Sequence, residues 1–281
     1  MLEPHNSNYD EVIKTEMIDG KLWCTHFEWT LGEAEEYKKL AERTKKAFQN
    51  KYYDKEKGTY GSYGGNIFAL KMGVPADQYP KVVAALKSDI IANGGNLNTG
   101  IFGTQFFFEV LSENGLHDLA FEAMNKKTKP SYGWWIEQGA TTSWEAWDGN
   151  GSRNHPMFGG GIVWFYRVLA GMNVDPEKPG YQNIIFKPQP AGDVTFTSYS
   201  NETPNGSAAI RWEKNAGSFK LDLKVPVGST ATVYVPASSE KLVTESGKKI
   251  TGKGAVSFQK MENGYAIYTV GSGDYSFNSQ L

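Results

Sequence analysis

The segment from Glu137 to His155 concentrates side chains that could carry acid–base chemistry. Glu145 stands between Trp144 and Trp147, and the last residue is one of four histidines in the chain. An ionised carboxylate can act as a general base or a nucleophile, and a neutral imidazole can exchange hydrogen bonds with hydroxyl groups. Because indole faces also form platforms for the C–H faces of pyranose rings, this combination is typical of a site that works on a sugar.

Two interpretations of Glu145 follow from its immediate neighbours. The stretch Thr142-Ser143-Trp144-Glu145 fits the capping-box pattern, in which the threonine caps the start of a helix and the glutamate reaches back to its backbone. In the other interpretation the carboxylate is catalytic, and a helix N-terminus favours its ionised form. Taken alone, the pattern favours the structural interpretation, and the catalytic one needs support from elsewhere in the chain.

The pair Asn154-His155 also has two interpretations. Asn154 suits the N-cap of a helix with Pro156 in its first turn, which would leave His155 as an incidental loop residue. Alternatively, the imidazole stands at the entrance of that helix and binds a substrate hydroxyl. The tryptophans around this segment, Trp134 and Trp147 among them, can be core residues, although we expect at least one to face a cleft.

The residue types predict neither a metal ion nor a cofactor. Cys24 is the only cysteine, and the four histidines never stand at the i, i+4 spacing of a helical metal pair. The run Asp148-Gly149-Asn150-Gly151 indicates a turn, because the further carboxylates of a calcium loop do not follow it. The glycines at 159–161 lack the preceding strand and the following Lys-Ser/Thr of a phosphate loop.

Net charge and hydropathy exclude several kinds of partner. The formal net charge is −2 and the sequence pI is about 6.1, so there is no electrostatic reason to expect nucleic acid or an anionic membrane surface. No apolar run approaches the roughly 20 residues that cross a bilayer. The start, MLEPHNSNYDEVIK, lacks the pattern of a secretory signal. We therefore expect a cytoplasmic protein, or part of a longer precursor whose product could be periplasmic or secreted.

The hydrophobic period divides the chain into two halves. From about residue 32 to 171, apolar side chains recur every three or four positions, which predicts helices joined by short glycine-bearing links. After about Asp175 the period becomes two, and turn signals separate short strands as in an antiparallel sandwich. Pro75 suits the first turn of the second helix, and Gly171 suits the end of the last. The predicted helices are 31–54, 74–95, 99–115, 116–128 and 156–172.

Several segments resemble, in the same order, those of bacterial α-L-rhamnosidases of glycoside hydrolase family 78. The resemblance covers roughly residues 33 to 240, and the shared order of separate motifs makes it specific. The matching segments are TGIFGTQFFFEVLSENG, KPSYGWWIEQGATTSWEAWDG, NHPMFG with the aromatic helix that ends in LAG, and PGYQNIIFKPQP.

The resemblance implies an (α/α)6-barrel catalytic domain flanked by β-sandwiches, and hydrolysis of terminal α-L-rhamnose with inversion. It makes Glu145 the general base that activates water, and the Asn154-His155 pair a contact to the sugar. Trp147 and Trp134 match positions that help line the pocket. The expected partner is a rhamnose-containing oligosaccharide or glycoside, and no cofactor or metal is expected.

We expect residues 1–174 to form the C-terminal portion of such a barrel and residues 175–281 the β-sandwich that follows. A complete barrel needs about twelve helices, whereas the periodicity accounts for five or six. The family's general-acid glutamate lies in an acidic segment further towards the N-terminus, which neither IKTEMIDG nor HFEWTLGEAEEY matches. Since inversion needs two carboxyl groups about 6.5–9.5 Å apart, this chain is expected to supply the base but not the acid.

Other functions stay open. The chain can be a non-catalytic sugar-binding or structural module, or it can carry another (α/α)6 glycosidase specificity, such as that of a glucosidase or fucosidase. It can also contain its own acid, for which Glu109, Glu137 and Asp148 are candidates. An open half-barrel would expose apolar surface, which favours a homo-oligomer that covers it.

Overall fold

The computed structural model describes residues 35–251 and 254–281 in full, and only the backbone of residues 13–18, 21–27 and 31–34. Strands β1 (Ile13–Ile18) and β2 (Lys21–Phe27) pair antiparallel, which the hydrophobic pattern did not predict. The first twelve residues, which carry most of the signal-peptide prediction, lie outside the described residues. The side chains of IKTEMIDG and of most of HFEWTLGEAEEY also lie outside them.

Helices joined by loops make up the chain from residue 31 to residue 170, as predicted. The short helices α2 and α6 were not predicted, because glycines interrupt the apolar period of both segments. A 3-10 turn, Pro156–Phe158, leads into the last helix. The helices are α1 (Leu31–Tyr52), α2 (Tyr63–Met72), α3 (Tyr79–Ala92), α4 (Ile101–Glu113), α5 (His117–Asn125), α6 (Tyr132–Glu137) and α7 (Gly160–Trp164), which continues as a π-helix (Phe165–Ala170).

The prediction that Pro75 lies in the first turn of a helix is wrong. The carbonyl of Pro75 accepts hydrogen bonds from the N–H groups of Gln78 and Tyr79, which closes a turn before α3 begins. Pro80 stands in the first turn instead, where its missing N–H is harmless because that position has no intrahelical acceptor. At the other end of the series, Gly171 adopts a φ of 90° and ends the last helix, as predicted.

Helix α4 is the centre of the helical half. Its side chains Phe107 and Leu111 are fully buried, as are Ile67 on α2 and Leu86 on α3. Burying a side chain of this size stabilises the fold by about 1.5–3 kcal/mol. Helix α4 packs against α2, α5 and α7, and so it joins the early helix α2 to the last helix of the series.

Helix α1 lies largely outside this core. Tyr37, Leu40 and Phe48 recur at helical spacing along α1, but Tyr37 is 58% and Leu40 45% exposed. Among its described side chains the C-terminal end packs inward, where Phe48 stacks on Tyr60 with ring centroids 5.5 Å apart. The apolar period of α1 therefore predicts a buried face, but no described residue packs over most of that face.

Two β-sheets face each other in the second half of the chain. The six-stranded sheet has the order β10-β9-β13-β7-β6-β5, and the five-stranded sheet has the order β11-β12-β8-β4-β3. All neighbours are antiparallel except β4 and β8, which run parallel. The strands are β3 (Met172–Val174), β4 (Asn183–Phe186), β5 (Phe196–Thr203), β6 (Gly206–Asn215), β7 (Ser218–Val225), β8 (Thr230–Pro236), β9 (Val243–Glu245), β10 (Lys248–Lys249), β11 (Val256–Glu262), β12 (Tyr265–Val270) and β13 (Gly273–Gln280).

The helical half and the sheets share one hydrophobic core. The indole Nε1 of Trp212 on β6 donates a hydrogen bond to the carbonyl of Leu169 at 2.8 Å. The backbone N–H of Lys187 donates one to the carbonyl of Gly171 at 2.7 Å. The expected fold class, a partial helical toroid followed by a β-sandwich, is confirmed. In the described part of the chain the helices do not close into a barrel, and none is long and apolar enough to cross a membrane. The division at residues 174 and 175 stays a prediction.

Candidate active site

The residues around Glu145 form a loop and not a helix start, so the capping-box interpretation is wrong. The Thr142 hydroxyl donates to the carbonyl of Arg153, eleven positions away, and does not accept from the backbone ahead of it. The Glu145 carboxylate accepts from the N–H of Ser152 and not from that of Thr142. Gly149 and Gly151 both have a φ of 79°, a left-handed conformation that turns the chain back on itself and does not continue a helix.

Glu145 is held by its own loop through two reciprocal hydrogen bonds. Its N–H donates to the carbonyl of Ser152 at 2.8 Å, and its Oε2 accepts from the Ser152 N–H at 2.8 Å. A third hydrogen bond across the loop runs from the His155 N–H to the Ser143 carbonyl at 2.8 Å. The side chain itself is exposed, and no cation pairs with it among the described residues. The carboxylate therefore has one oxygen fixed by the backbone and one open to solvent.

The indoles around the loop form a packed aromatic cluster. Trp135 and Trp144 are buried, whereas Trp134 and Trp147 are half-buried. The rings of Trp147 and Trp135 lie 4.4 Å apart between centroids, and Trp147 lies 4.6 Å from Phe158. Trp134 meets Trp144 edge to face at 6.4 Å. The two tryptophans singled out from the sequence are therefore the two that keep part of their surface free.

One hydrogen bond ties this cluster to the helical core. The indole Nε1 of Trp147 donates to the carbonyl of Thr99 at 2.9 Å, across 48 positions of sequence. Thr99 lies two residues before α4, so the loop of Glu145 is fixed to the segment that leads into the central helix. Tyr132 on α6 donates its hydroxyl to the Phe158 carbonyl. Burial raises the pKa of Tyr132 well above its ordinary value, so the phenol stays a neutral donor.

The structure places His155 at the entrance of the last helical segment and leaves Asn154 outside the cap position. His155, and not Asn154, occupies the N-cap position of the 3-10 turn, and its side chain makes no capping bond. Asn154 is exposed and its N–H donates to the Ser152 hydroxyl at 3.2 Å. The imidazole of His155 is half-buried, and its Nδ1 is a buried atom without a hydrogen-bond partner in the described residues. A buried polar atom without a partner is unusual in a folded protein, so this imidazole is distinctive among the described side chains.

None of the three candidates for a second carboxyl stands out by geometry. Glu109 on α4 pairs with the ammonium of Lys71 at 2.6 Å, and Glu137 pairs with Lys127 at 2.9 Å. Asp148 accepts hydrogen bonds from the backbone and side chain of Asn150. Each is already engaged, and the alternative that the chain contains its own general acid stays open.

A cavity of about 660 Å³ runs between α4 and the segment that starts at Pro156. Lys71 and Glu109 line it together with Arg167. Burial alone would lower the pKa of Lys71, but the hydrogen bond and charge of Glu109, with the charge of Glu113, raise it above its ordinary value. Neither Glu145 nor His155 lines this cavity, so its size is a poor guide to the chemistry.

A smaller hollow of about 360 Å³ lies at the start of α4, lined by Tyr63, Thr99 and Phe102 among others. It adjoins the cluster through Thr99, whose carbonyl holds the Trp147 indole. Glu145 does not line this hollow either. The described residues therefore provide a floor of aromatic rings and an anchored carboxylate, but not a closed pocket around them.

Comparison with known proteins identifies the family. Residues 26–169 match the model of the bacterial α-L-rhamnosidase six-hairpin glycosidase domain, and residues 171–250 match that of the bacterial α-L-rhamnosidase C-terminal domain. The chain belongs to the bacterial α-L-rhamnosidase family. The resemblance read from the sequence motifs is thus confirmed.

The similar proteins are much longer than this chain. An α-L-rhamnosidase from Streptomyces avermitilis is 31% identical over 87% of this chain, which covers 24% of that relative. One from Formosa agariphila is 30% identical over 77% of this chain, again covering 24% of the relative. The chain thus spans about a quarter of the length of the curated relatives that it matches.

Solved structures of similar proteins share the fold. An α-L-rhamnosidase from Dictyoglumus thermophilum superposes with a TM-score of 0.78 at 35% identity, over 89% of this chain and 29% of that one. The Streptomyces avermitilis α-L-rhamnosidase complexed with L-rhamnose superposes with a TM-score of 0.79 at 30% identity, over 89% of this chain and 25% of the other. The roles of Glu145, His155, Asn154, Trp134 and Trp147 remain predictions.

Proposed function

We propose that this chain is the part of an α-L-rhamnosidase that supplies the general base, Glu145. One observation carries the proposal: the carboxylate is anchored to its own loop beside a cluster of partly exposed indoles, with one oxygen left free. Family membership supports rhamnose-containing glycosides as the substrate class, and a structural neighbour was solved with L-rhamnose.

The anchoring suits the work of a general base. Because Oε2 is occupied by the Ser152 N–H, Oε1 is the oxygen that receives a proton from water. The water oxygen bonds to the anomeric carbon as the glycosidic C–O bond breaks, and a second carboxyl group protonates the departing oxygen. That second group comes from outside the described residues. Attack opposite to the leaving group inverts the anomeric configuration.

The side chains around Glu145 bind the sugar in this proposal. His155 stands half-buried at the entrance of the last helical segment, and its imidazole exchanges a hydrogen bond with a rhamnose hydroxyl. Asn154 is exposed beside it and offers an amide to a neighbouring hydroxyl. Trp147 and Trp134 present the free parts of their indoles to the C–H face of the ring.

Glu145→Gln in the longest natural protein that contains this chain tests the proposal. The amide keeps the size of the side chain but cannot take a proton, so turnover of an aryl α-L-rhamnoside falls by about 10²–10⁴-fold. Glu122→Gln is a matched control, because Glu122 is an exposed glutamate on α5 whose one ion pair within the described part of the chain is with Lys126. Turnover by Glu145→Gln within a few-fold of the control would refute the role.

The second candidate function is a sugar-binding module without turnover, because Glu109, Glu137 and Asp148 are each already engaged by another partner. The 281-residue chain is tested alone for this function. Titration with L-rhamnose measures binding, and a panel of aryl α-L-rhamnosides, glucosides and fucosides measures hydrolysis. Hydrolysis of the rhamnoside by the isolated chain would show that it contains its own general acid, and hydrolysis of another glycoside alone would change the substrate class.

A further inference from the structure

Two left-handed glycines lie under two successive side chains of the candidate site. A Cβ built on Gly149 would stand 2.7 Å from Cζ3 of Trp144, and a Cβ built on Gly151 would stand 2.7 Å from Oε2 of Glu145. Each distance is far inside ordinary van der Waals contact. The loop backbone at Gly149 and Gly151 therefore packs directly against the Trp144 ring and the Glu145 carboxylate.

A side chain at position 151 would meet one particular residue, Glu145, and chiefly its carboxyl group. Its Cβ would also lie 3.1 Å from Cδ of Glu145, so the whole carboxyl group and not only its tip meets residue 151. The next residue, Ser152, provides both the donor to Oε2 and the acceptor for the Glu145 N–H. The left-handed φ of 79° at Gly151 turns the Ser152 N–H towards the carboxylate, and the missing side chain lets the carboxylate reach it.

We infer that Gly151 is a positioning residue for hydrolysis, because it seats the Glu145 carboxylate on the Ser152 N–H and so aims the free oxygen at water. This inference rests on the proposed role of Glu145 as the base. The Glu145 side chain is exposed, so a methyl group at position 151 can push it aside into solvent while the loop stays in place. The carboxylate then points away from the reacting water.

Gly139 provides a matched control for backbone strain. It has the same φ of 79° and lies in the same segment, but a Cβ built on it meets nothing within 4 Å. Gly139→Ala and Gly151→Ala therefore impose the same left-handed strain, and only Gly151→Ala displaces the carboxylate. Any difference between the two variants reports the contact with Glu145.

The experiment measures kcat and KM of both variants on an aryl α-L-rhamnoside, in the longest natural protein that contains this chain. Misplacing a catalytic group by about 1 Å costs about 10²-fold in rate, so Gly151→Ala is expected to lower kcat by about that factor with KM changed less than about threefold. Gly139→Ala is expected to change both by less than about threefold. Equal kcat values for the two variants would overturn the inference.

A double-mutant cycle separates this inference from the proposed function. If Gly151 acts through Glu145, adding Gly151→Ala to Glu145→Ala causes no further loss of kcat, whereas multiplying losses would overturn the inference. Near-normal turnover of Glu145→Ala would refute the role of Glu145 itself, and the inference would fall with it. Normal Gly151→Ala turnover beside an inactive Glu145→Ala would refute only the inference.

Unfolding temperatures keep the test valid if Gly151→Ala folds poorly. Replacing Glu145 by alanine removes the Oε2 and Cδ atoms that the new methyl group would meet. The double variant Glu145→Ala/Gly151→Ala is therefore expected to lose less stability relative to Glu145→Ala than Gly151→Ala loses relative to the unsubstituted protein. An equal loss in both backgrounds would show that the contact with Glu145 is not responsible.

Discussion

The hydrogen bond from Trp147 to Thr99 gives a stability prediction that depends directly on the observed geometry. Trp147→Phe keeps an aromatic ring between Trp135 and Phe158 but removes the Nε1 donor, which lies 2.9 Å from the Thr99 carbonyl. Thr99 is only 8% exposed, so water replaces that donor poorly. The change therefore tests whether this bond fixes the loop of Glu145 to the start of α4.

The expected cost has two parts. A buried carbonyl left without its donor costs about 1–3 kcal/mol. The smaller phenyl ring also gives up contact worth roughly one or two buried methylene groups, at about 0.8 kcal/mol each. The free energy of unfolding is thus expected to fall by about 2–5 kcal/mol, which is a large part of the stability of an ordinary domain.

Urea denaturation followed by far-ultraviolet circular dichroism measures the effect. Tryptophan fluorescence is a poor probe here, because the substitution removes one member of the indole cluster. Ile136→Ala is the control, since Ile136 lies on the neighbouring helix α6 and is 70% exposed, and its loss should cost less than about 0.5 kcal/mol. A cost for Trp147→Phe no larger than that of the control would refute the anchoring role of the bond.

The structure supports two more predictions. Burial lowers the pKa of His117 and its Nδ1 has no partner among the described residues, so acid protonates the unfolded chain first. The unfolding temperature should therefore fall as the pH drops below about 6.5, and the fall should be smaller in His117→Gln; an unchanged pH dependence would contradict this. The exposed apolar side chains of Leu40 and Phe165 are expected to be covered in a homo-oligomer. Sedimentation equilibrium should show association that weakens in Leu40→Ser/Phe165→Ser, and a monomer at all concentrations would contradict it.

Most of the fold prediction came from the local hydrophobic period of the sequence. The period of three to four residues located α3, α4 and α5, and the period of two located the strands, because both patterns follow from backbone geometry alone. Helix α2 escaped detection because Gly64 and Gly65 dilute its period. The parallel pairing of β4 with β8 was also missed, because it joins segments more than forty residues apart and no local pattern encodes it.

The candidate site also combines features that the sequence predicts with features that only the folded chain shows. The sequence by itself selected the candidate residues, since the order of several motifs singled out Glu145 and His155 from many similar side chains, and their roles remain predictions. Only the tertiary structure decided how Glu145 is held. The capping box was wrong because the partner of the carboxylate is the Ser152 N–H, brought there by the left-handed backbone at Gly151 and not by the neighbouring residues of a helix. Spacing along the chain predicts contacts within one turn of a helix or one strand, whereas a loop that folds back creates contacts that only its three-dimensional path reveals.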